Sequence, residues 1–152
     1  MIFDRDDDLK NEDRIIERVC KMWDCESEKL SGFAYADFIL LRGKVEGIDQ
    51  GVAFAEIRCR SVKKDDYDTI FISINKVSNM LKFSELTGMA SLFIVEWADQ
   101  CGFINLVDVE PLGTGFPRRR NPRRDASGNS NKDEPVLLLK TSQFTHLWDV
   151  NQ

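Results

Sequence analysis

Two runs, Tyr35-Ala36-Asp37-Phe38-Ile39-Leu40-Leu41 and Gly51-Val52-Ala53-Phe54-Ala55-Glu56-Ile57-Arg58, decide how this chain is read. Both are apolar, with the aromatic and β-branched residues that suit strands packed in a core. Each carries one carboxylate, which is costly in such a setting unless it meets a cation. The connection Gly43-Lys44-Val45-Glu46-Gly47-Ile48-Asp49-Gln50 holds two glycines and suits a hairpin. Asp37 and Glu56 are equidistant from its midpoint, between Glu46 and Gly47. In a regular antiparallel pair they are neighbours on one face, and a bulge would shift them apart. Converging carboxylates of this kind make a site for a hard divalent cation, Mg2+ or Mn2+, which keeps several waters and needs only one or two protein carboxylates. The backbone carbonyl of Ile57 is close enough in sequence to be a further ligand. Arg58 lies two residues beyond Glu56 and shares its face of the strand.

Outward from this hairpin, residues 9–23 have helical spacing of Glu12, Ile15, Ile16, Val19, Met22 and Trp23, with Asn11 or Asp8 as possible caps. Strands are expected over about 34–42 and 51–60, and a short one over 69–72. Ser73 caps a helix over 74–87, and Gly88 suits the left-handed position that ends it. The run 90–97 is almost wholly apolar and reads as a central strand covered on both faces. A further strand is expected over 103–109. Residues 113–134 read as a long flexible loop, 136–139 as the start of a final strand, and 144–150 as a turn or short helix. The expected fold is α/β, a mixed central β-sheet flanked by helices. A length of 152 residues fits one domain.

The net charge of −5 argues against nonspecific nucleic-acid binding by the molecule as a whole. Its distribution points elsewhere. The first thirty residues are acidic, whereas Arg118, Arg119, Arg120, Arg123 and Arg124 crowd into one stretch of the expected loop. These arginines, with Arg60 at the end of the second strand, are candidates for gripping a phosphate backbone. No apolar run reaches the length of a membrane span, and the acidic N-terminus lacks the pattern of a secretory signal, so an intracellular setting is expected. Cys20, Cys25, Cys59 and Cys101 lack the paired spacing of a zinc site and read as reduced, mostly buried thiols.

The inward Glu of the first helix, the strand with Asp37, the strand with Glu56-Ile57-Arg58 and the helix after it resemble the PD-(D/E)XK nuclease superfamily. The likeness is closer to its small phage-type or resolvase-like members and spans roughly residues 9–110. It implies a restriction-endonuclease-like fold, Mg2+-dependent cleavage of DNA and, for many members, a homodimer that meets both strands of a duplex. By motif position Asp37 and Glu56 match the two metal-binding acids. Glu12 matches the acid of the first helix, with Glu17 as its rival. The motif's lysine is replaced by Arg58. Arginine stays charged and cannot act as a base near neutral pH, though it can stabilise an anionic transition state. Some members of the superfamily carry the lysine on the next helix, where this chain has Lys76. Catalytic roles are therefore expected for Asp37, Glu56, Arg58, Lys76 and Glu12. Two alternatives accompany this reading: a nuclease-fold DNA-binding protein without catalysis, and a structural or assembly protein whose basic loop meets an acidic partner.

Overall fold

The computed structural model describes residues 5–30, 36–117 and 134–150. A six-stranded mixed sheet with helices packed on it forms the centre, in the strand order β1-β2-β3-β5-β6-β9. Its elements are β1 (Glu26–Lys29), β2 (Phe38–Val45), β3 (Ile48–Cys59), β5 (Ala90–Glu96), β6 (Gln100–Asn105) and β9 (Thr145–Asp149). A smaller antiparallel sheet consists of β4 (Thr69–Ser73), β8 (Val136–Lys140) and β7 (Gly113–Gly115), with β8 in the middle. The two helices are α1 (Arg5–Trp23) and α2 (Ile74–Thr87).

Alternation along the strands divides the core in two. Ala53, Ala55 and Ile57 of β3 and Leu92 and Ile94 of β5 pack with Ile15, Ile16 and Val19 of α1. Phe93 and Val95 of β5 pack with Val77 and Met80 of α2, Ile70 and Ile72 of β4 and Leu139 of β8. The large sheet therefore has α1 on one face, and α2 with the small sheet on the other. β5 is buried along nearly its whole length, as its apolar run requires. β3 and β5 are parallel, and the chain between them runs through β4 and α2.

The hairpin closes as the midpoint argument requires. Glu46 and Gly47 form a two-residue turn with φ of 52° and 79°, the positive pair that matches strand twist in a hairpin. Its register begins with Val45 opposite Ile48 and ends with Phe38 opposite Ala55. Two irregularities, at Leu40/Leu41 and Leu41/Lys44, cancel one another. The pairing returns to its starting frame and ends at Phe38 opposite Ala55, the residues next to Asp37 and Glu56.

α2 also forms as expected. Ser73 Oγ accepts from the Lys76 N–H at 3.4 Å, and Gly88 ends the helix at φ 74°. Several boundaries differ from the sequence expectation. α1 begins at Arg5, so Asp8 and Asn11 lie inside it rather than capping it. β6 starts at Gln100 and stops at Asn105, where the Asn105 side chain accepts from the Val107 N–H and forces a turn. The expected loop opens with β7, whose Gly115 pairs with Val136. Residues 145–149 form an edge strand rather than a turn or helix. Cys101 is the one fully buried thiol, since Cys20 and Cys25 are half-buried and Cys59 is exposed. Among the described residues no helix is long and apolar enough to cross a membrane.

Candidate active site

Asp37 stands just before β2 and is held by the sheet on three sides. Its N–H donates to the Ala55 carbonyl at 3.0 Å, and its own carbonyl accepts from Leu30 at 3.0 Å. Its carboxylate Oδ2 accepts from the Ile57 N–H at 2.8 Å. That bond points the side chain across β3 towards Glu56. It is the N–H of Ile57, not the carbonyl, that engages Asp37.

Glu56 is only 2% exposed. Its Oε2 is paired with Lys76 Nζ, which the first turn of α2 presents from above the sheet. Its other oxygen, Oε1, is buried and has no hydrogen-bond partner among the described residues. Burial pushes the Glu56 carboxyl up to about 8, and the Asp37 carboxylate adds to the rise, while Lys76 opposes it. Glu12, half-buried on α1, is raised by burial first and by the Asp37 carboxylate next; Lys29 and Lys76 pull it back. Glu12 therefore belongs to the same electrostatic cluster, whereas Glu17 is exposed on the helix.

Arg58 is turned differently. Its Nη1 donates to the Phe71 carbonyl of β4, and its Cζ lies 5.0 Å from the centre of the Phe93 ring. Burial lowers its pKa, with Glu56 acting against that. The Arg60 N–H donates to the Glu96 carbonyl at 2.8 Å, and its side chain is close enough to depress Arg58 further. Arg118, Arg119, Arg120, Arg123 and Arg124 lie outside the described residues. The structure thus gathers Asp37, Glu56, Lys76 and Glu12 and ties Arg58 to β4.

Sequence reasoning missed the two phenylalanines that hold Arg58, because a backbone carbonyl and a core ring carry no motif. It also missed Glu96. This third acid in an apolar run has the same signature as Asp37 and Glu56 but receives Arg14 in two hydrogen bonds, of 2.6 and 3.0 Å, and the Trp148 Nε1–H at 3.3 Å.

Among the described residues no group of three or more His, Cys, Asp or Glu side chains converges as a metal cluster. A pair of carboxylates remains, and it fits a small hard cation. Mg2+ uses one or two carboxylates and completes its shell with water and phosphate oxygens. An unpaired buried carboxylate oxygen, such as Glu56 Oε1, asks for a missing ion or water.

A family model described as "Phage putative PDDEXK endonuclease" matches residues 2–147. The chain belongs to that family. The fold agrees with it: a Holliday junction resolvase from Archaeoglobus fulgidus, an archaeal hyperthermophile, superposes with a TM-score of 0.51 at 11% identity, covering 88% of this chain and 89% of that one. The restriction-endonuclease-like architecture is thereby shared at an identity that speaks for the fold alone. A search among curated proteins found no match.

Proposed function

We propose that the chain is a divalent-metal-dependent endonuclease acting on DNA, with Asp37 and Glu56 as metal ligands and Lys76 in the role of the motif lysine. The observation that carries this is the convergence of Lys76 Nζ on Glu56 beside Asp37. Mg2+ or Mn2+ held there would supply an activated water and neutralise charge on the scissile phosphodiester.

The remaining work falls to the chain's own groups. The Ile57 N–H orients Asp37, and burial of Glu56 on the α2 side of the sheet keeps bulk water from its carboxylate. Lys76 brings a compact charge with three donors to the opening, suited to holding a water or a phosphate oxygen. Glu12, with its raised pKa, can hold a proton at the margin of the site. The Ile57 carbonyl is available as a further oxygen beside the pair. Arg60 and the arginines from Arg118 to Arg124 would grip the backbone of the duplex, and two copies of the chain would serve its two strands.

The test is cleavage of plasmid, linear and branched DNA with Mg2+ or Mn2+. Wild-type protein is expected to cut and to stop on chelation, and the Asp37→Ala/Glu56→Ala double variant is expected to be inert. Equal cleavage by both proteins, or none by the wild type, overturns the reading. A second reading, DNA binding without catalysis, draws on Arg58 alone. It predicts metal-independent binding with no cut products in the same assay.

A further inference from the structure

Arg58 stands where the family motif has lysine, and its guanidinium makes two contacts at once. Its Cζ lies over the ring of Phe93, which is wholly buried, and Nη1 donates to the Phe71 carbonyl. A rigid, flat group with donors along its rim can stack and donate together, whereas an ammonium is a single point. The carbonyl it reaches belongs to the edge strand of the small sheet, since β4 pairs only with β8.

What β4 leads into gives this contact its meaning. Two residues beyond Phe71, Ser73 caps α2, and the first turn of that helix carries Lys76. Lys76 then returns to β3 through the contact of its Nζ with Glu56 Oε2. Residues 71–76 are thus fastened at both ends by side chains from one face of one strand, Arg58 at the start and Glu56 at the finish. Between those fastenings lie the end of β4 and the helix cap, and neither pairs with β3 in a ladder.

We infer that Arg58 is a positioning residue, which ties β4 to β3 so that α2 delivers Lys76 to Glu56. The lysine and the arginine form one device: the amine comes from the helix, and the position it vacated on the strand holds the strut that aims the helix. The inference rests on the reading of Lys76 as the site's lysine.

A double-mutant cycle separates a strut from a group that touches phosphate. Single-turnover cleavage is measured for wild type, Arg58→Met, Lys76→Met and the double variant. In parallel, the rate of Lys76 acetylation by a small amine-reactive ester is followed by peptide mass spectrometry in the metal-free protein. Arg58→Met is expected to slow cleavage about 10- to 100-fold, the scale of a misplaced catalytic group, without a matching change in KM. In the Lys76→Met background the same change should cost nothing further. Lys76 should be acetylated several-fold faster in Arg58→Met, because the helix no longer holds its amine against Glu56. A loss that persists in full in the Lys76→Met background, or an unchanged acetylation rate, overturns the inference. Where Arg58→Met does not fold, Arg58→Gln takes its place with the same expectations, since it stays polar but is shorter and loses the guanidinium. Where Lys76→Met leaves no measurable cleavage, or the wild type does not cut, the acetylation rates decide alone. The latter outcome counts against the nuclease reading and leaves the strut to its own test.

Discussion

Glu56 carries the highest electrostatic cost among the site's residues. Its carboxyl is raised from 4.5 to about 8, so between those values the folded chain holds a proton that the unfolded chain has released. Stability contributed by this group is complete below about pH 4.5 and is lost as pH rises through about 8. Metal-free protein should therefore weaken over that window by on the order of a few kcal/mol relative to Glu56→Gln. Urea unfolding of both proteins in chelator at pH 5 and pH 8.5 checks this. A wild type no more sensitive to pH than the Gln variant would contradict it. The cost was legible in the sequence, because an acid in an apolar strand is expensive wherever it lies. Which partner would offset the cost was not. Glu96 carries the same signature, yet it meets Arg14, 82 positions away, and becomes a structural pair. Asp37 and Glu56 could be matched on paper only because one short hairpin joins them.

Elements with a strong period were visible and those without one were not. β5 and α2 announced themselves through an apolar run and a pair of end signals, Ser73 and Gly88. β1 reads Glu-Ser-Glu-Lys and has no apolar face, as suits a charged edge strand that must not recruit another chain. β9 hides its period in a bulge. Cys101 faces Trp148 and Gly102 faces His146, so Leu147 is skipped. Leu147 and Trp148 then both pack against the α1 side of the core, which breaks the alternation a strand reading needs. That bulge brings the Thr145 carbonyl within 2.9 Å of where a Cβ on Gly102 would sit. Gly102→Ala should accordingly cost about 1–3 kcal/mol by pushing β9 off the sheet. Gly113→Ala, with open space at its Cβ, should be close to neutral. Chemical denaturation of the two variants checks the contrast, and equal effects would show that β9 does not press on Gly102.

At the scale of the molecule the layered sheet explains why side chains reach the candidate site from both sides. α1 brings Glu12 from one face, α2 brings Lys76 from the other, and the hairpin sets Asp37 and Glu56 between them. On the proposed reading an acidic chain of net charge −5 must still approach DNA. The arginines from Arg118 to Arg124 would supply the local reversal of sign that this needs. Replacing all five with Ala should flatten the dependence of log binding constant on log salt by about 0.9 for each arginine that meets a phosphate. Fluorescence anisotropy with a labelled duplex over a salt series measures it, and an unchanged slope would place the DNA elsewhere on the surface. On the proposed reading this chain cuts DNA with an amine delivered by α2 in place of a motif lysine. The most direct measurement is the single-turnover cleavage rate of Lys76→Met against wild type at saturating Mn2+. A fall of about 100-fold or more, with the fold intact by circular dichroism, is the result predicted. Cleavage by Lys76→Met at the wild-type rate would contradict it.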